Sequence, residues 1–295
     1  MPQTSALATH AGRGKSWMLP EAKSQDLLYV VRNSANEVSV YTYPKGKAVG
    51  TLNDIPGALG ICSDINGDIF VVATESQQIY EFAHGGSSPI ATLDDSGNNP
   101  NGCAVDPSSG NLAVTGGLGV ANAAIYQNAQ GSPTVYTDTF AGAFTFCTYD
   151  SQGNLFIGAE NLFELPKGAN SFVEIPISGG PPQTSPPGIQ WDGSYIALQE
   201  TSRSKEGPTK IYQISVSGSS ASVIDEVDLS SRINKNPNLG SQFWINDRTI
   251  VMPESMNKNV GLWHYPKGGK AYHTVKVAPK EGLLTAVTVS LASEH

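Results

Sequence analysis

Glu160, Glu200 and Glu254 fall at one offset from the apolar core of three successive short runs, and Glu75 falls one residue further along in an earlier run. Arg32 and Asn33 hold the corresponding place in the first run. Carboxylates gathered on one rim raise one another's pKa unless a cation or guanidinium offsets them, and such concentrations of perturbed acids mark functional sites. A cation held there meets only oxygen ligands, with no cysteine or histidine at the same offset, so Ca²⁺ is expected in preference to Zn²⁺. Without a cation, Arg32 supplies the compensating charge, and the rim suits a polar organic ligand stacked on Trp244. Asn101, Gln242 and Trp244 are expected within reach of the same rim. The plainer alternative is that the glutamates only solvate the bends that follow each run.

Other residue types give less. His10, His84, His264, His273 and His295 have no metal-ligand spacing such as His-Glu-x-x-His, and no serine sits in Gly-x-Ser-x-Gly. His84 is expected at a solvated turn tip, and His264 as a packing residue between repeats. Gly116-Gly-Leu-Gly119 has the glycines of a phosphate loop, but no helical pattern follows it to supply an anion-binding terminus. The three cysteines form no Cys-x-x-Cys pair. Cys62 lies two residues before Asp64, whereas Cys103 and Cys147 lie three before Asp106 and Asp150. Strand alternation therefore turns Cys62 to the opposite face from the other two. Cys62 and Cys103 can then meet across one interface and leave Cys147 over, although buried free thiols are expected in preference to a disulfide.

The elements that must position these groups are repeats. The turn signature recurs as Val40-Tyr-Thr-Tyr-Pro-Lys-Gly46, Ile79-Tyr-Glu-Phe-Ala-His-Gly85, Ile125-Tyr-Gln-Asn-Ala-Gln-Gly131, Leu162-Phe-Glu-Leu-Pro-Lys-Gly168, Ile211-Tyr-Gln-Ile-Ser-Val-Ser-Gly218 and Leu262-Trp-His-Tyr-Pro-Lys-Gly268. Within Gly57 to Leu93, four short apolar runs are joined by Asp64-Ile-Asn-Gly-Asp68, a Glu75-Ser-Gln bend and a His84-Gly-Gly turn. These joints carry the positive-φ and Asx residues that tight hairpins need. Four strands per repeat at a period of roughly 40 to 50 residues is the signature of a β-propeller. Apolar inner strands need cover on both faces, which only stacked copies provide. An all-β, six-bladed propeller of four-stranded antiparallel blades is the expected fold, occupying residues 26–295 as a single domain after a largely irregular leader over 1–25. Trp17-Met-Leu-Pro20 is expected to pin that leader to the propeller. The first blade lacks an innermost strand, and Leu283 to Leu291 is expected to supply it by pairing with Leu27 to Val31, closing the ring without an exposed edge.

Composition narrows the function. Lys+Arg 18 against Asp+Glu 26 gives a net charge of −8, and no basic stripe is present, so nucleic acid is not an expected partner. No apolar stretch approaches the ~18 residues of a membrane span. No secretory signal stands at Met1, yet the charge-poor, Ser/Thr/Asn/Gly-rich composition favours an exported protein over a cytoplasmic one; a monomer is expected.

Pro100-Asn-Gly-Cys-Ala-Val-Asp106 and Gly153-Asn-Leu-Phe156 resemble the repeat pattern of NHL proteins and of the SMP-30/gluconolactonase group of six-bladed propellers. The Tyr-Pro-Lys-Gly turns look most like those of bacterial NHL-like propellers. In lactonase members of that group, the resemblance implies a divalent cation at the channel mouth on Glu, Asn and Asp residues placed just before innermost strands. Here Asn101 occupies such a place, while Phe144 and Pro187 stand at two others and no Glu-Gly-Pro opens a first blade. Three functions remain open. The first is an exported ligand-binding or scaffold propeller whose acidic mouth takes a cation, a small polar molecule or a protein segment. The others are a metal-dependent hydrolase or lactonase and a structural, surface-interaction protein; the first is the expected one.

Overall fold

The computed structural model describes residues 15–116, 121–139, 141, 143–159, 161–179, 188–199, 209–230, 241–246, 248–254, 258–277 and 283–292. Six antiparallel sheets follow one another along the chain. Blade 2 is the plainest, with Ala58–Ser63 innermost, then Ile69–Ala73, Gln78–Phe82 and Ala91–Asp94 at the outer edge. Blade 3 (Pro100–Val105 innermost) and blade 4 (Phe146–Tyr149 innermost) repeat that order. The expected closure is present. Leu284–Ser290 is the innermost strand of blade 1 and pairs antiparallel with Leu27–Arg32, in a register that sets Leu27 opposite Ser290 and Val31 opposite Ala286.

Strand alternation explains why the blades stack. Along Leu27–Arg32, Leu27, Tyr29 and Val31 enter the apolar cluster shared with blade 2, while Leu28 and Val30 enter the one shared with blade 6. The same division at the other interfaces gives six clusters for six blade contacts. Each such side chain contributes about 1.5–3 kcal/mol relative to an exposed one. Trp263 is wholly buried between blades 5 and 6, its indole N–H donating to Ser230 O at 3.0 Å.

Two edges are covered by additions. Trp17–Met18 pairs antiparallel with the outer strand Ala48–Leu52 as a fifth strand of blade 1, and Ala22 of the following turn is buried. In blade 5, the long outer strand Ser220–Ser230 takes Ile177–Ser178 in parallel near its start and Gly269–Lys270, from blade 6, at its end. Only the paired stretches, Gly50–Thr51 in blade 1 and Ala221–Ser222 and Leu229–Ser230 in blade 5, are in this way withdrawn from pairing with another chain.

At one end of the inner strands a side chain caps each turn into the second strand. Asp64 Oδ1 accepts from the N–H groups of Asn66 and Asp68 at 2.9 and 2.8 Å. Asp150 does the same for Gln152 and Asn154 at 2.8 and 2.9 Å, and Asp192 for Ser194 and Tyr195 at 2.8 and 2.7 Å. Asp106 holds Ser108 N–H at 2.9 Å, and Asn246 holds Arg248 and Thr249 at 3.0 and 2.9 Å. These Asx turns fix the end of every such hairpin locally.

Candidate functional site

The central channel is built by the inner strands, and its width changes along its length. Near their N-terminal ends the strands carry glycines that touch the next blade. A Cβ on Gly60 would lie 2.3 Å from Asn101 O, one on Gly102 2.4 Å from Thr145 O, and one on Gly188 2.2 Å from Ser241 O. Only glycine permits that approach. Into this narrow part Gln242 of blade 6 extends across the axis. Its Oε1 accepts from Ile61 N–H of blade 2 at 3.1 Å, and its Nε2 donates to Cys103 O of blade 3 at 2.8 Å. Its main chain also bonds blade 1, with N–H to Thr285 O at 3.2 Å and C=O from Val287 N–H at 3.1 Å. One buried residue, through its side chain and its main chain, thus ties four of the six blades.

Beyond Gln242, toward the Asx-capped turns, the channel widens to a cavity of ≈120 Å³. Its wall includes Ser63, Thr148, Gln190, Trp244 and Thr288, with Val105 and Val287 between them. Ser63 Oγ and Thr288 Oγ1 are hydrogen-bonded at 3.1 Å, and Thr148 Oγ1 accepts from Trp191 N–H at 2.9 Å. The indole of Trp244 packs edge-on against Tyr43, with ring centroids 5.8 Å apart. Burial pushes the Tyr43 hydroxyl up to about 12. Cys62 and Cys103 also form part of this wall and are joined as a disulfide with Cα atoms 5.7 Å apart, which corrects the expectation of free thiols. The parity of their spacing turns the two side chains toward each other across the interface of blades 2 and 3, and their Cα separation lies within the range a bridge spans. Cys147 is the free, buried cysteine.

The residues expected at the acidic rim divide. Glu160 and Glu200 lie outside the described residues, as do Pro187 and the Gly117–Gly119 part of the glycine-rich loop. Glu75 is exposed on its bend, directly over Gly57. Glu254 is wholly buried: the strand Thr249–Glu254 keeps its ladder to the last residue, with Glu254 opposite Asn259, so this carboxylate is part of a sheet and not of a wet rim. Arg32 is buried as well. It pairs at 2.6 Å with Glu37, the residue opposite it on the next strand of its own blade, so its charge is compensated inside blade 1.

Asn33 and Asn101 reach backbone oxygens of the following blade. Asn33 Nδ2 donates to Ala58 O at 2.9 Å and Asn101 Nδ2 to Phe144 O at 3.2 Å. Thr74, Thr115 and Thr285 do likewise, to Pro100 O at 2.6 Å, Thr145 O at 2.7 Å and Leu59 O at 2.8 Å, and Gln199 Oε1 accepts from Ser241 N–H at 3.1 Å. These polar side chains lace successive blades together at the narrow end. Phe144, at one place where the lactonase resemblance implies a metal ligand, is buried against Phe163 and Phe172, with centroids 5.3 and 4.9 Å away.

Two histidines also depart from expectation. His84 is half-buried, its Nδ1 hydrogen-bonded with Ser290 Oγ at 2.5 Å and its Nε2 with Gln25 O at 3.0 Å, because the turn that carries it folds against the closing strand. His264 is exposed and stacks on Tyr272, with centroids 4.4 Å apart.

Gln242 and Trp244 were among the expected residues and line this cavity, whereas Ser63, Thr148, Gln190 and Thr288 were missed because the site was sought at the other end of the inner strands. Ser63 stands one residue before its turn-capping aspartate, and Thr148 and Gln190 stand two before theirs. Polar residues at that spacing in otherwise apolar strands are the signal that finds them.

No protein-family model matches the chain, and no curated protein matches it in sequence. Solved structures do match in shape. A chain of a nidogen/laminin complex is 13% identical with a TM-score of 0.66, covering 90% of this chain and 98% of its own. Virginiamycin B lyase from Staphylococcus aureus, in a complex with quinupristin, is 13% identical with a TM-score of 0.56, covering 94% of this chain and 95% of its own. Hydrazine synthase of Kuenenia stuttgartiensis is 12% identical with a TM-score of 0.61, covering 88% and 79%. At such identities the likeness establishes the six-bladed β-propeller alone.

Proposed function

We propose that the protein is an exported ligand-binding propeller of the NHL/SMP-30-like kind, with a small polar molecule held in its channel. The observation that carries this reading is the channel itself, crossed by Gln242 and hollow beyond it. Hydroxyls, two amides and an indole line its wall, and among the described lining residues there is no carboxylate, imidazole or ammonium group. That wall suits hydrogen-bonded capture of a neutral polar solute, with Trp244 as an apolar surface for it. Export is supported by the disulfide between Cys62 and Cys103, a bond that persists in oxidising compartments. Glu75, Glu160 and Glu200 belong in this reading to the opposite mouth, where Ca²⁺ is the cation their oxygens would take.

Native mass spectrometry of the purified protein against a panel of neutral polyols and amides tests the channel. Gln190→Trp, which fills the cavity from a half-buried position, is expected to abolish any adduct; an adduct that survives it places the ligand elsewhere. Calorimetric titration with Ca²⁺ of the native protein and of Glu160→Gln/Glu200→Gln tests the acidic mouth. Unchanged Ca²⁺ binding in the double variant would remove those carboxylates from the function.

A further inference from the structure

The clefts between blades on the turn side can be compared position by position, since each is formed by the capped turn of one blade and the third strand and turn of the next. Between blades 5 and 6 the cleft is filled. Tyr265 of blade 6 donates its hydroxyl to Asp192 Oδ2 at 2.5 Å, and Gln213 of blade 5 donates to the same carboxylate at 3.0 Å. Between blades 3 and 4 a cation enters instead: Lys167 Nζ and Asp106 Oδ2 flank Gly153, each 3.2 Å from the place a Cβ there would take. Burial raises the Asp106 pKa, but hydrogen bonds from Ser109 and Ser108, with the Lys167 charge, outweigh it and hold the group below its ordinary range.

The cleft between blades 4 and 5 has neither filler. Ile214 stands where blade 6 has Tyr265, and the turn Ser215-Val-Ser-Gly218 replaces the Pro-Lys-Gly of blade 4. What remains is a cavity of ≈380 Å³ bounded by Asp150, Phe156, Glu164, Trp191, Ser194 and Ile214. Glu164 occupies the position of Gln213 and Gln127 in the neighbouring repeats. The Asp150 carboxyl is engaged with its own turn, whereas no hydrogen bond or ion pair within the described structure reaches the Glu164 carboxylate. Burial first, and the Asp150 charge second, raise its pKa. A half-buried carboxylate beside an indole, in a space where the sister cleft admits an ammonium, matches one class of ligand: a positively charged nitrogen takes the carboxylate by a charge-assisted hydrogen bond and the indole face by cation–π attraction.

We propose that the cleft between blades 4 and 5 binds a small organic ammonium compound, its charged nitrogen on Glu164 and its hydrocarbon part against Trp191. This site is separate from the channel. Titration with benzylammonium, followed by calorimetry and indole fluorescence, tests it, with benzyl alcohol as the neutral analogue of the same shape. Saturable binding of benzylammonium is expected, weakened about tenfold or more by Glu164→Gln and abolished by Ile214→Tyr. The first variant installs the amide found at this position in blades 3 and 5, and the second installs the blade 6 filler, so both keep residues the fold already accommodates. Gln190→Trp in the channel is expected to leave benzylammonium binding intact, which separates failure of this site from failure of the channel reading. Equal affinity for benzyl alcohol, undiminished binding by Glu164→Gln or by Ile214→Tyr, or no saturable binding at all would each overturn the proposal.

Discussion

At the turn end of the channel, Asp64, Asp106, Asp150 and Asp192 bond back into their own hairpins, and the bonds between blades include titratable groups such as Tyr29 to Gly85 and Tyr265 to Asp192. At the narrow end, the amides and hydroxyls of Asn33, Thr74, Asn101, Thr115, Gln242 and Thr285 cross to the next blade. One end is therefore locally self-sufficient and leaves space; the other, among the described residues, is laced by neutral side chains. An acid repeated at one offset can thus mean a turn cap as readily as a site, and the partner of the side chain decides which.

The largest effect expected from disturbing this contrast is at the disulfide, which sits where the lacing gives way to the cavity. Cys62→Ser/Cys103→Ser opens a loop with a sequence separation of 41, for which chain entropy predicts a loss of about 4 kcal/mol. Denaturant unfolding of the variant measures it, and a loss below that of a single lacing bond would mean that the bridge adds nothing to the ring. Gln242→Leu comes next. It removes the acceptor of Ile61 N–H and the donor to Cys103 O, both buried, and about 3 kcal/mol should be lost. The same measurement checks it, and a neutral outcome would show that the narrow end holds without its lacing.

The third effect separates the two ends by pH. Burial pushes the Tyr29 hydroxyl up to about 12, above its unfolded value of 10.0. A group with a raised folded pKa contributes its stability in full below the unfolded value and loses it as pH climbs toward the folded one. The contribution of Tyr29 to stability should therefore fall by about 2 kcal/mol between pH 10 and pH 12. Tyr29→Phe should remove that part of the slope, while Asn33→Ala, at the narrow end, should lower stability by about 1 kcal/mol at every pH. Parallel slopes in the two variants would erase the distinction.

The repeats, the hairpin turns and the closing strand were legible because they rest on backbone demands that particular residues meet locally: aspartate to cap, glycine to turn, alternation to bury. The pairing parity of Cys62 and Cys103 was legible for the same reason, although the bond itself was not. Asn33, Asn101 and Gln242 were expected at a ligand-binding rim, but their partners lie one blade or more away, and no local pattern names a carbonyl supplied by Ala58, Phe144 or Cys103. Arg32 was misjudged because its counter-charge, Glu37, lies across a tight hairpin in a strand position that reads as an ordinary exposed acid. The cleft at Glu164 depends on what blade 5 lacks, and an absent filler becomes visible only when the neighbouring interfaces are laid beside it.

The closing blade also fixes how the molecule responds to being pulled. Leu27 and Ser290 face each other at the same end of their ladder, so once Trp17–Met18 has come off Ala48–Leu52, a load drawing the two strands apart acts on that pair and then on Leu28 and Val289, one rung at a time. This is a zipper and not a lap joint. The Asp26 carboxylate that accepts the Ala292 N–H at 2.9 Å stands at the mouth of this ladder as its catch. Under tension applied through its ends, the ring would open at blade 1 while each of the other five blades, built from continuous chain, stayed folded, and the protein would lengthen stepwise from a single seam.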